Sequence, residues 1–119
     1  MEQQGNISAQ IEVLNSVSEF LTKLKDGINK IVTFIQEGKE HQAIQIIPSA
    51  AEGIGWVIQA INLTKDVQKE IIDIDDINDF ISEIVDAFEN EDYILVGDLF
   101  EYEILPIFER VHSQKKNNI

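Results

Sequence analysis

The stretch "ISAQIEVLNSVSEFLTKLKDGINKIVTFI", Ile7 to Ile35, decides the fold. Ile7, Leu14, Leu21, Ile28 and Ile35 recur at heptad spacing, and Val17, Leu24 and Ile31 follow members of that series by three residues. Recurrence at these intervals places apolar side chains along one face of a long amphipathic helix. Val13, Phe20 and Phe34 flank the stripe, so it is wider than a two-stranded coiled-coil seam and suits packing on several helices. Asn6 is the expected N-cap, and Gly38 in "QEGK" the expected stop.

Downstream, Ala43, Ile47, Ala50, Ile54, Val57 and Ile61 keep the same rhythm. The stripe stays in phase across Pro48, which predicts one continuous, kinked helix. Gly53 and Gly55 beside Trp56 weaken helix propensity, pointing either to close approach of a ring or backbone or to local loosening. The polar run "NLTKDVQKEIIDIDD" is the longest connection. Asp73 or Asp75 is the expected cap of a third helix, whose apolar face is Ile77, Phe80, Ile81, Ile84, Val85 and Phe88. "ENED" breaks it, and Asp92 caps a fourth helix with Pro106 near its last turns.

The expected helices are 7–36, 40–64, 75–90 and 92–112, with 113–119 a disordered tail. A shift of 53 residues lays Leu21, Leu24, Ile28, Ile31 and Ile35 over Ile74, Ile77, Ile81, Ile84 and Phe88, and Ala43, Ile47 and Ile54 over Val96, Phe100 and Ile107. Two similar hairpins in series imply an all-α, antiparallel four-helix bundle, with proline kinks in helices 2 and 4 and one domain over 1–119.

The chain has 119 residues, 44% of them hydrophobic, enough for one core, and no cysteine, hence no disulfide framework or thiolate chemistry. "MEQQGNIS" lacks the features of a signal peptide, and no apolar run reads as a membrane span, so a cytoplasmic protein is expected. The formal net charge is -13, and Glu70 to Glu109 holds 14 acidic residues and no basic one. Such a field repels phosphate backbones and anionic lipid, leaving a basic protein segment or a cation as the electrostatic partner, or serving solubility alone.

Di-metal bundles need two inward Glu-x-x-His pairs; only Glu109 with His112 fits, since Glu37 precedes His41 across the Gly38 turn. "DIDDINDFISE" lacks the turn glycine and the third alternate ligand of a calcium loop, so it reads as a helix-capping cluster. No phosphate loop or nucleophile elbow is present in the sequence. The expectation is therefore a non-enzymatic protein without cofactor or metal.

The fourth helix carries the best hint of a binding surface. Val96, Phe100, Ile104, Ile107 and Val111 form one stripe, and Leu95, Leu99 and Tyr102 a second, with Glu103 and Arg110 between them. Gly97, Asp98, Glu101 and Glu109 fill the polar face. A corner helix needs one stripe, so the second either meets a partner or another copy, or lies beneath the second helix. Glu103 is either a rim residue or a partly buried acid requiring Arg110, a tyrosine or a backbone donor. Leu95, Leu99, Tyr102 and Glu103, with Asp98 and Glu101, form the expected partner-binding set.

"IDDINDFISEIVDAFENEDYILVGDLFEYEILPIFE" and the preceding "AIQIIPSAAEGIGWVIQAINLTKDVQ" resemble a family of small acidic helical proteins of unknown function from Firmicutes. That resemblance implies no activity, cofactor or site residue. A fainter likeness, on "FIQEGKEHQAIQII" and "AFENEDYILVGDLF", is to flagellar export chaperones, and implies a fold-level analogy. The leading expectation is a helical interaction module, chaperone- or adaptor-like, that binds a basic or amphipathic helical segment. A structural homodimer and a carboxylate-bridged metal enzyme are the alternatives.

Overall fold

The computed structural model describes residues 2–116 and 118. The described chain has four helices and no strand. They are α1 (Glu2–Gln36), α2 (Glu40–Leu63), α3 (Ile77–Glu89) and a last helix in three consecutive parts: α4 (Tyr93–Leu99), a π-helical turn (Phe100–Ile104) and α5 (Leu105–Lys116). A 3-10 turn, Lys65–Val67, opens the connection between α2 and α3.

α1 is the spine. Its 35 residues, at about 1.5 Å rise each, account for the longest dimension of the molecule, 53 Å. Leu14, Val17, Leu21, Leu24, Ile28 and Ile31 are buried, as the heptad series requires, whereas Ile7 and Ile11 lie exposed near the start. Asn6 is inside the helix rather than at its cap: no proline precedes it to halt the ladder, and its exposed side chain leaves the backbone free to continue. α1 packs against α2 on one side and the last helix on the other, while α3 packs against α4 and the π turn; α2 and α3 are not among the closely packed pairs.

The two short turns are built alike. Gly38, at φ 74°, donates to Ile35 O at 3.1 Å, and Lys39 donates to Phe34 O at 2.7 Å, the paired bonds of a Schellman ending. Glu91, at φ 57°, donates to Phe88 O at 3.0 Å, and Asp92 donates to Ala87 O at 2.8 Å. The shift of 53 residues carries Gln36 onto Glu89, Gly38 onto Glu91 and Glu40 onto Tyr93, so helix ends and turn bonds coincide in the two halves. Asp92 then caps α4, accepting from Leu95 N–H at 3.2 Å.

The long connection is anchored by a buried polar network. Thr64 Oγ1 donates to Ala60 O at 2.7 Å, Gln68 Nε2 donates to Ile61 O at 2.8 Å, and Gln68 Oε1 accepts from Ile72 N–H at 2.8 Å. These bonds satisfy the final carbonyls of α2 and let Ile72 and Ile74 enter the core. The last helix then clamps the strand of chain leading to α3. Arg110 bonds Asp73 O at 3.0 Å and pairs with Asp76 at 2.9 Å, Gln114 accepts from Asp73 N–H at 3.1 Å, and Asn118 donates to Glu70 O at 3.1 Å. Asp76, rather than Asp73 or Asp75, stands at the N-cap of α3, its carboxylate turned to Arg110 instead of to the helix N–H groups. The expected disordered tail is replaced, as far as it is described, by helix to Lys116, because this clamp gives the segment partners.

α2 continues across Pro48, whose ring is exposed, so the ladder position it cannot fill faces solvent. In the last helix, Leu105 N–H reaches back five residues to Phe100 O, and the π turn ends just before Pro106. The first expected stripe holds on both sides of this turn, with Val96, Phe100, Ile104, Ile107 and Val111 all buried, and two further residues join it. Phe108, outside both expected stripes, is fully buried, and Gly97, expected on the polar face, is buried against Ile35.

The turn geometry and the Arg110 clamp each set a measurable outcome. Glu91→Gly removes the strain of a side chain at positive φ and raises stability by about 1 kcal/mol in urea unfolding, whereas Gly38→Ala lowers it by a similar amount. The hydrogen bond from Arg110, helped by its charge, holds Asp76 below its ordinary 3.8. A depressed carboxylate contributes stability above its unfolded value and loses it as pH falls through the folded one. Asp76→Asn is therefore less stable than wild type near neutral pH, and the difference closes below pH 3.8.

Candidate functional site

An apolar groove of about 450 Å³ lies between α2 and α3. Ile47, Ala51, Ile54, Gly55 and Ile58 form one wall, Ile81, Ile84, Val85 and Phe88 the other, with Phe100 between them and Glu89 at one edge. Phe100, Ile54 and Ile84 are buried and make the floor; Val85, 48% exposed, stands at the lip. The groove exists because α1 and α4 pack on each other while α2 and α3 each hold to a different one of them. Phe88 is steadied by an edge-on contact with Tyr93 at 6.0 Å.

α2 has two apolar faces, which explains its composition. Ala43, Ala50, Val57 and Ile61 are buried on the inner face, while the next residues around the helix line the groove. The doublets Ile46-Ile47, Ala50-Ala51 and Val57-Ile58 are the sequence signal of that second face. By length and composition α2 would also suffice to cross a membrane, a property not expected from the sequence reading; the described residues contain no other such helix. The glycines divide between the faces. A Cβ on Gly53 would stand 2.9 Å from Leu24 Cδ1 and 3.4 Å from Phe20, whose ring packs against Trp56 at 4.6 Å, tilted by 49°. At Gly55 it would meet nothing within 4 Å, since this position opens into the groove.

A family model described as a domain of unknown function (DUF8042) matches residues 12–114. The chain belongs to this family. No curated protein and no solved structure matches it. The DUF8042 span includes every residue of the groove and both Schellman turns.

The six residues expected from the sequence lie close together on the last helix of this DUF8042 domain but face different sides of it. Leu99 is buried, and Leu95, 42% exposed, lies with it in a shallow hollow beside Glu83, Asp86 and Asp92. Asp98 sits toward α1 with Val32 and Ile35, and Glu101 accepts from Gln36 Nε2 at 2.8 Å. Tyr102 is 65% exposed, and its hydrogen bond to Glu101 raises the phenol above its ordinary value. Glu103 is half-buried, and Arg110, one partner suggested for it, pairs instead with Asp76. The second stripe is thus split between α3 and solvent, while Asp98 and Glu101 of the expected set turn toward α1.

Glu109 and His112, the one Glu-x-x-His pair, converge on Lys25, which donates to Glu109 Oε1 and to His112 Nδ1 at 3.0 Å each. Burial, with Lys25 beside it, holds the imidazole below its ordinary value, so it accepts as the neutral ring. Glu37 pairs with Lys39 at 3.5 Å. Among the described residues no group of three or more His, Asp or Glu side chains is arranged to hold a metal.

The two glycines give a direct check on which face of α2 is open. Gly55→Ala gains about 0.5–1 kcal/mol in urea unfolding, because helix propensity improves without a steric penalty. Gly53→Ala falls short of that gain, because Leu24 and Phe20 must move aside.

Proposed function

We propose that this domain is a non-enzymatic protein-interaction module of the cytoplasm, chaperone- or adaptor-like, which holds a helical segment of another protein in the α2–α3 groove. The observation that carries this reading is the groove itself, apolar on both walls and open along the molecule. Contiguous apolar surface of this kind is costly to leave in water and is typical of a surface that docks a partner. Amphipathic helices fit such channels because their backbone groups are already paired, leaving only side chains to be matched.

The proposed scaffold is an antiparallel bundle of two hairpins, splayed where α2 and α3 would otherwise meet. Its support is the order of contacts: Phe20 to Trp56 and Leu24 to Gly53 step down α1 as they step up α2. Lys25 to His112 and Gln36 to Glu101 do the same for α1 and the last helix. Binding in the groove replaces the fourth-helix stripe as the favoured interface, because Leu99 of that stripe is covered by its own fold.

Affinity capture from native lysate, with mass measurement of the purified protein, tests the reading. Val85→Glu, at the exposed lip, loses specifically captured protein with helicity unchanged, and Tyr102→Glu retains it. The opposite pattern, with a dimeric mass that Tyr102→Glu reduces to monomer, would favour the structural homodimer.

A further inference from the structure

We infer that the occupant of the α2–α3 groove is one amphipathic helix of two to three turns, apolar on its inward face and basic along its flanks; this rests on the groove being the binding surface.

The length comes from the walls. The groove extends from Ile47 to Ile58 on α2 and from Ile81 to Phe88 on α3, roughly 11–17 Å of helix axis. Its width comes from packing: α2 and α3 do not approach as neighbouring helices do, whereas packed helices sit about 8–10 Å apart. A helix laid along the opening reaches α2, α3 and the Phe100 floor with the side chains of one apolar face.

The choice of a helix over a small apolar molecule comes from the lining. Small-molecule sites fix their ligand with a few converging polar groups, and here Glu89 at the edge is the only charged residue of the lining. A helix needs no such group, because its own ladder satisfies its backbone.

The basic flanks come from the charge of the two helices that carry the walls. α2 and α3 contain no lysine or arginine, and their charged residues are Glu40, Glu52, Asp79, Glu83, Asp86 and Glu89. Lysine or arginine beside the apolar face of the incoming helix meets Glu89 at the edge of the groove and the wider acidic field of both helices, in which no basic residue offsets the charge, whereas an acidic helix meets repulsion.

The test uses two labelled 18-residue peptides with leucine at i, i+3, i+4 and i+7, one otherwise lysine and the other otherwise glutamate, read by fluorescence anisotropy against the full chain. The expected result is tighter binding of the lysine peptide by at least about tenfold at low salt, with the gap narrowing as salt screens the walls. Gly55→Trp and Ala51→Trp, which fill the groove from open positions, each abolish that binding with the circular dichroism of wild type. Glutamate-peptide binding as tight as that of the lysine peptide, still blocked by the tryptophans, would overturn the basic partner and leave the groove reading standing. Lysine-peptide binding that neither tryptophan weakens would overturn both. Tryptophan-sensitive binding of dodecanoate, with neither peptide bound, would overturn the helix in favour of an acyl chain.

Discussion

The π-helical turn from Phe100 to Ile104 governs how the last helix faces the rest of the molecule. A regular helix advances about 100° per residue, so side chains four apart drift steadily around the axis. One additional residue in the turn offsets part of that drift and keeps Phe100, Ile104 and Phe108 buried in succession. Phe108 and Val111 then reach the core, Arg110 reaches Asp76, and Phe100 arrives at the base of the α2–α3 groove. Pro106 lies immediately after this turn, where its missing N–H would interrupt an α ladder in any case. The backbone thus places its irregularity where the ladder is already weakest.

The turns are legible in the sequence because they depend on local chemistry. Glycine at Gly38 and a capping acid at Asp92 mark helix ends by backbone stereochemistry and orphan N–H groups, neither of which needs a tertiary partner. The heptads of α1 are legible because a spine with neighbours on several sides buries a regular stripe. The main stripe of the fourth helix is legible too, from Val96 to Val111, but the added burial of Gly97 and Phe108 and the π turn itself are not, because a π turn has no periodic signature. The start of α1 is hidden as well, and so is the clamp formed by Arg110, Gln114 and Asn118, which joins residues far apart in sequence. The candidate surface is half legible. Apolar doublets on α2 show that two faces want burial, but not that the second would find α3 standing apart.

The two hairpins share a turn and a register yet use them differently. In the first, α1 and α2 pack closely along much of α2, with Gly53 admitting Leu24 and Phe20. In the second, the corresponding first helix is short, and the chain before it is an extended segment tied to α5. A bundle of four equal helices would bury all its inner faces against one another. Shortening one member and bracing it from the far end leaves apolar surface unmatched on α2 and α3, while the remainder of the core stays closed.

That unmatched surface gives the acidity of the chain a further meaning. A protein with an open apolar groove risks having its own copies seated there, since each also displays exposed apolar residues such as Ile94 and Leu63. A net charge of -13 on each copy opposes that approach. A cationic stranger suffers no such barrier. The same charge that disfavours kin therefore favours strangers of opposite sign.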